Sequence, residues 1–288
     1  MISKNKKLSS YNWFNLGGPA KLFFKPSSLE DLKKFLKENS EKEKKIFILG
    51  AGSNTLFRDT GYNGIIIKLG SEFSYTKLLG ENKIEAGAAT LDRKVSQFAL
   101  ENSISGFEFL SCIPGSIGGA IEMNSGCYGY DISQVFTSLK AINFKGELKS
   151  FNKDQIEFFY RGNSFKEKLI FLSATFQGKT GIKNLIQKKQ DDLIKQKKNS
   201  QPTKVKTCGS TFKNPEGNKA WKLIKDSGCA GISIGDAAIS EKHCNFFINK
   251  GNAKSRDLEN LILKVKNKVF KETGINLELE LHIIGEKL

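Results

Sequence analysis

Apolar residues recur at helical spacing along several stretches of the chain. Leu29, Leu32, Phe35 and Leu36 follow Ser28, which stands as an N-cap with Asp31 at the capping-box position. Leu91, Val95, Phe98 and Ala99 mark one face of a helix from Leu91 to Asn102. The clearest stripe is Leu258, Leu261, Ile262, Val265 and Val269, predicting a helix between Ser255 and Thr273, capped by Ser255 and stopped by Gly274. A basic helix spans 182–198, and a shorter one lies near 219–227. Apolar runs at 45–49, 64–69, 83–86 and 244–249 predict strands, and 140–176 alternates short strands with turns. The last strand alternates strictly: Leu277, Leu279, Leu281 and Ile283 point one way, Glu278, Glu280 and His282 the other. Pattern alone favours an edge strand with its polar face in water.

Glycine interrupts this pattern where chemistry is expected. The stretch from Leu110 to Gly129 holds Gly115, Gly118, Gly119, Gly126 and Gly129, a density suited to tight turns or close approach to a ligand. Gly50-Ala-Gly-Ser-Asn54 directly follows the apolar run 46–49, the strand-to-glycine-turn arrangement that offers backbone N–H groups to phosphates. The Rossmann fingerprint is not met. Thr55 stands where its third glycine belongs, and no acidic residue follows at the ribose-clamp spacing. The loop is therefore a phosphate-type turn of another fold.

A length of 288 residues accommodates two or three compact units. The N-terminus has no signal-peptide core and no stretch reaches the length of a membrane span, which points to a cytoplasmic protein without membrane insertion. A net charge of +16 raises nucleic-acid binding, but the cations are 42 scattered lysines and only four arginines (Arg58, Arg93, Arg161, Arg256). Diffuse lysine reads as solvated surface, so no nucleic-acid partner is expected, and each arginine invites a specific role. Cys112, Cys127, Cys208, Cys229 and Cys244 make an odd count with no C-x-x-C pair, so neither zinc nor a disulfide framework is expected, and no metal. Cys127 and Cys208 are candidates for reactive thiols, with buried hydrophobe the favoured reading.

Taken together, the motifs resemble the UDP-N-acetylenolpyruvoylglucosamine reductase family. They are Gly17-Gly-Pro-Ala20, Gly50-Ala-Gly-Ser-Asn54, Ile113-Pro-Gly-Ser-Ile-Gly-Gly-Ala120, Tyr160-Arg161, Gly209-Ser-Thr-Phe-Lys-Asn-Pro215, Ser240-Glu-Lys-His243 and Leu277-Glu-Leu-Glu280. Their order along nearly the whole chain makes the resemblance specific. It implies an α+β protein. Residues 1–180 would form an FAD-binding two-part domain of the vanillyl-alcohol-oxidase (PCMH) type, 181–200 a connecting helix, and 201–288 a smaller α+β substrate-binding domain whose last strand returns to the active site.

The resemblance also implies the chemistry. NADPH would reduce FAD, and UDP-N-acetylglucosamine enolpyruvate would then be reduced to UDP-N-acetylmuramate for peptidoglycan synthesis, hence for cell-wall biogenesis, cell shape and division. Gly50, Ala51, Gly52, Ser53 and Asn54, with Ile113, Pro114, Gly115, Ser116, Gly118, Gly119 and Asn124, match the cofactor-binding positions. Arg161 matches the group that holds the substrate carboxylate and stabilises an enolate. Glu280 matches a protonated acid sharing that task, and Ser210 the hydroxyl that protonates C2. Lys213, Asn214 and Tyr128 are expected to contact the UDP-sugar; His243 is expected to be structural.

Without the resemblance, Arg161 reads as a surface ion-pair partner, Ser210 as a turn residue and Glu280 as a solvated strand position. The chain departs from the family where glycine is common at Cys112 and alanine at Cys127. The competing reading is another FAD-dependent oxidoreductase of the same fold acting on a different small molecule.

Overall fold

A computed structural model describes residues 1–287. The chain forms two compact units that do not follow chain order. One comprises Met1–Ile2, Phe24–Ala51 and Ile66–Lys197; the other comprises Ser3–Phe23, Gly52–Ile65 and the chain from Lys198 on.

In the first unit, Leu148–Asn152, Phe136–Asn143, Leu169–Gln177, Lys83–Gly87 and Thr76–Leu78 lie in that order in one antiparallel sheet. Alternate residues of these strands, among them Leu139, Ala141, Ala174, Phe176, Ile84 and Ala86, are buried. They pack with Val95 and Ala99 of helix Asp92–Glu101 and with Ile117, Ala120 and Ile121 of the short helix Ile117–Glu122. The glycine-rich stretch thus rests on the sheet through its few apolar residues. Helix Lys183–Ser200 buries Ile186, Leu193 and Gln190, whose amide donates to the carbonyl (3.0 Å) and hydroxyl (2.8 Å) of Ser96.

Helix Leu29–Glu38 is capped by Ser28 as expected, its hydroxyl accepting from Asp31 N at 3.0 Å. Asp31 does not close the reciprocal half of a capping box on Ser28. Its carboxylate reaches one residue further back, to the N–H (2.9 Å) and hydroxyl (3.0 Å) of Ser27.

The second unit carries the sheet Ser233–Ile234, Ala237–Ile239, Phe247–Asn249. Helix Ser255–Thr273 buries its whole predicted stripe, and Gly274 ends it in the left-handed conformation (φ 71°) that glycine adopts without strain. Ser255 is not the cap. It is the first helical residue, and its hydroxyl accepts from Asp59 N at 2.8 Å, while Asp257 accepts from Lys254 N at 3.0 Å. Arg58 is likewise structural: Nε and Nη2 donate to Glu259 at 2.9 and 2.8 Å, and Nη1 to the Gly285 carbonyl at 2.6 Å.

The last apolar alternation keeps its faces but not its continuity. Leu277 and Leu281 are buried, yet only His282–Ile284 forms a strand, parallel to Thr55–Phe57. The residues before it pair elsewhere: Lys213 N donates to Glu278 O (2.9 Å) and Glu280 N to Thr211 O (2.9 Å). No helix among the described residues is long and apolar enough to cross a membrane.

Candidate active site

The expected site residues fall on both units. Gly50, Ala51, Ile113–Gly119, Asn124, Tyr128 and Arg161 belong to the first; Gly52, Ser53, Asn54, Ser210, Lys213, Asn214 and Glu280 belong to the second.

In the first unit, the turn after strand Ile46–Ile48 faces the Ile113–Gly119 stretch closely. A Cβ on Gly50 would lie 2.8 Å from Ser116 Oγ, so a side chain there would have to displace that hydroxyl. Ser116 Oγ is buried with no hydrogen-bond partner among the described residues. A buried hydroxyl in that state costs about 1–3 kcal/mol unless a ligand meets it. Beside it, the Lys68 ammonium donates to the Gly50 carbonyl, and burial lowers its pKa. The N–H groups of Ile117 and Gly118 are already spent on Thr90 O and Ala88 O, both at 2.9 Å.

Asp92 is wholly buried under the same stretch. A Cβ on Gly115 would stand 2.4 Å from its Oδ2, so carboxyl and glycine fit only as a pair. Burial pushes the Asp92 pKa well above the usual carboxylate range, only partly offset by the Gly115 main chain. Burial thus favours the neutral carboxyl over the carboxylate.

Arg161 occupies the turn of a tight hairpin in which Phe159 pairs with Gly162. Its φ is 61°, a strained value for a residue with a side chain, and its guanidinium lies over the Tyr160 ring at 4.8 Å. The hairpin is pinned to the glycine-rich stretch from both sides. Asn163 Nδ2 donates to Glu122 O (3.0 Å) and Ile121 O (3.3 Å), and Asn124 Nδ2 donates to Phe159 O (3.2 Å). Asn124 Oδ1 accepts from Ser133 N at 3.1 Å. Tyr128 takes φ 54° and buries its hydroxyl.

In the second unit, Gly52 turns the loop at φ 72°, where a Cβ would sit 2.0 Å from the Tyr11 carbonyl. Asn54 Nδ2 then donates to Glu280 O at 2.9 Å, and Asn54 O accepts from His282 N at 3.1 Å. Glu280 is thereby fixed through its main chain on both sides. Ser210, half-buried, precedes the segment that pairs with it, and Phe212 bridges Leu279. Lys213 is 3.7 Å from the largely exposed Glu278, a pair worth little in water. Asn214 Oδ1 accepts from Ala220 N (3.0 Å) at the start of helix Ala220–Asp226.

Cys208 is buried, donates to Thr55 O at 3.3 Å, and has its pKa pushed up to about 12 by burial. It is a packing residue. The His243 ring packs edge-on against Phe246 at 4.7 Å, and burial lowers its pKa.

Residues 20–152 match the profile of an FAD binding domain, and residues 201–284 that of the UDP-N-acetylenolpyruvoylglucosamine reductase C-terminal domain. A UDP-N-acetylenolpyruvoylglucosamine reductase of Pelagibacter ubique (strain HTCC1062) is 51% identical over 286 residues, covering 98% of this chain and 94% of that protein. The chain belongs to the UDP-N-acetylenolpyruvoylglucosamine reductase family. A member from Wolbachia sp. subsp. Drosophila simulans (strain wRi) is 45% identical over 279 residues, covering 96% and 94% of the two chains. The crystal structure of the reductase from Thermus caldophilus superposes with a TM-score of 0.85 at 30% identity, covering 99% of this chain and 98% of that one. As a reductase of this family the chain is an oxidoreductase with an FAD-binding domain, and its α+β class is the one its motifs imply.

Sequence reasoning missed several residues that shape the surroundings of the expected site residues. Lys68 had a signal, since it interrupts the apolar run Ile65-Ile-Ile. Asp92 stands in the first turn of its helix, where an acid is ordinary. Asn163 and Asn245 carry no local signature, because their work is to bond main chain far away in sequence.

Proposed function

We propose that this reductase converts UDP-N-acetylglucosamine enolpyruvate to UDP-N-acetylmuramate, with FAD as cofactor and NADPH as electron donor, in the cytoplasmic stage of peptidoglycan precursor synthesis. The observation that carries the reading is the pairing of the Ser210–Lys213 segment with Glu278–Leu281, which couples a hydroxyl donor and a carboxyl through their main chains.

The residues present fit FAD. An unsatisfied buried hydroxyl at Ser116, a half-buried cation at Lys68 and the close approach of Gly50 to Ser116 suit a flat, anionic ligand. With Ile117 and Gly118 engaged, Ser116 and Gly115 are the groups assigned to it, together with Gly50–Asn54, Ile113, Pro114, Gly118, Gly119 and Asn124 as close backbone neighbours. FAD held there would supply the hydride-transfer chemistry between NADPH and the enolpyruvyl group.

The chain's own residues manage the charge and the proton. Arg161 holds the substrate carboxylate in a two-pronged, charge-assisted contact, and its guanidinium compensates the negative charge that builds as C3 is reduced. Glu280, in its acid form, would donate to the same developing enolate; one such donor is worth about 10²–10³ in rate. Ser210 delivers the proton to C2, a general-acid step worth about 10²–10⁴. Lys213 would exchange its weak pair with Glu278 for the diphosphate. Asn214, whose Oδ1 is spent on the helix, would act as a donor, and Tyr128 would line the sugar.

The test is product analysis. Kept anaerobic, purified protein with FAD should oxidise NADPH beyond one equivalent per flavin only when the enolpyruvyl UDP-sugar is present, and in deuterated water the product should gain one deuterium at C2. NADPH oxidation without a reduced UDP-sugar product would refute the substrate assignment.

A further inference from the structure

Lys68, in the first unit, is a cation without a counter-ion. It follows the apolar run that ends at Ile67, and main-chain bonds fix it on both sides. Leu49 N donates to Ile67 O at 2.8 Å, and Lys68 N donates to Phe24 O at 3.0 Å. The chain at Lys68 therefore runs between Lys25 on one side and Gly50 on the other. Its ammonium is half-buried and donates to the Gly50 carbonyl. No carboxylate pairs with it among the described residues, and the charge acting on it is that of another cation, Lys25. An ammonium drawn partly out of water with no anion beside it is unfavourable. Only one of its three N–H donors is used on Gly50. The same glycine faces Ser116, whose Oγ would stand 2.8 Å from a Cβ there and is buried with no partner among the described residues. A positive group and an unmet hydroxyl thus meet at one glycine, and no protein group answers either.

We propose that Lys68 binds the diphosphate of FAD, its ammonium steadied by the Gly50 carbonyl and donating to a phosphate oxygen, with the Ser116 hydroxyl as a second donor. The proposal rests on the FAD reading above and adds the part of the cofactor that this turn recognises, the diphosphate and not the ring. Charge decides between them. Two negative phosphates answer the Lys68 ammonium, and Lys25 adds to their attraction, whereas an oxidised flavin ring offers no anion. Lysine suits the task because its compact charge carries three rotatable donors, enough to hold a main-chain carbonyl and a phosphate together. Lys68 is thereby the residue that favours the dinucleotide over riboflavin.

The experiment titrates the full, flavin-free chain with FAD, riboflavin and UDP by calorimetry, and reads its Tm with and without FAD. Lys68→Met keeps an unbranched side chain and removes the charge. It should weaken FAD binding by about 10-fold or more and leave riboflavin unchanged. The rise in Tm that FAD confers should shrink, while the flavin-free Tm stays the same or increases, because a half-buried charge is gone. Wild-type affinity for FAD should fall with salt more steeply than that of Lys68→Met. Lys68→Arg, which keeps the charge, should bind FAD more tightly than Lys68→Met does. Equal FAD affinity in Lys68→Met and wild type would overturn the proposal. So would a parallel loss of FAD and riboflavin with a lower flavin-free Tm, which would make Lys68 a support for Gly50 alone. A loss confined to UDP would give the site to the diphosphate of the UDP-sugar instead. A wild-type chain that binds no FAD would overturn the FAD reading, and this proposal with it.

Discussion

Asn245 holds Phe212 by both of its main-chain polar groups: Oδ1 accepts from Phe212 N at 3.0 Å and Nδ2 donates to Phe212 O at 2.8 Å. Its own carbonyl accepts from Thr211 N at 2.8 Å. One buried amide therefore sets the course of the chain that follows Ser210. Asn245→Leu keeps the branched outline but leaves two main-chain groups unpaired in the core, at a cost of about 2–4 kcal/mol. A fall in Tm of at least about 5 °C is expected by calorimetry. An unchanged Tm would mean that Phe212 is held by its packing alone.

Ser210→Ala should separate the two halves of the proposed reaction. Flavin reduction by NADPH should stay near wild type, while flavin reoxidation by the enolpyruvyl substrate slows by about 10²-fold or more. Stopped-flow absorbance reads both rates. Equal loss in the two halves would remove Ser210 from the proton-donor role.

Arg161 combines a strained φ of 61° with an exacting proposed task. Arg161→Gly relieves about 1 kcal/mol of left-handed strain, offset by the greater freedom of glycine in the unfolded chain. Tm should be unchanged or slightly raised, with kcat/KM for the enolpyruvyl substrate falling by about 10² or more. A variant that loses stability along with activity would make the residue a structural one.

Asp92 makes stability depend on pH in a defined direction. Its folded pKa is raised, so its contribution is fully present below the unfolded value of about 4 and is lost as pH rises through the folded value. Over that window the unfolded chain has released the proton and the folded chain still holds it, so stability falls with increasing pH. Asp92→Asn keeps the shape against Gly115 and removes the titration. Chemical denaturation from pH 4 upward should show the variant gaining on the wild type as pH rises; a difference independent of pH would show that Asp92 titrates normally.

Much of the fold is legible in the pattern of the chain. The stripe of Leu258 to Val269, the Ser28 cap and the Gly274 stop are local devices, and each appears where the sequence puts it. Long-range pairing is not legible. Alternation from Leu277 to Ile283 says which face is apolar, but nothing in it says that Glu280 pairs with Thr211 while His282 pairs with Thr55. Ser255 has the composition of a cap, yet it bonds Asp59, remote in sequence. The chain from Ser3 to Phe23 and from Gly52 to Ile65 folds with the C-terminal third, a division no composition shift marks. For the site, glycine spacing announces a close approach at Gly50 and Gly115, where a Cβ would crowd Ser116 and Asp92. The roles given to Arg161, Ser210 and Glu280 came from family resemblance; their spacing alone favours ordinary surface residues.

The central claim is tested most directly by an anaerobic visible spectrum of the chain reconstituted with FAD. NADPH is added first, then UDP-N-acetylglucosamine enolpyruvate. The flavin band should bleach with NADPH and return in full when the UDP-sugar is added. Bleaching that does not recover would contradict the substrate assignment, and a chain that binds no FAD would contradict the cofactor role given to the glycine-rich stretch.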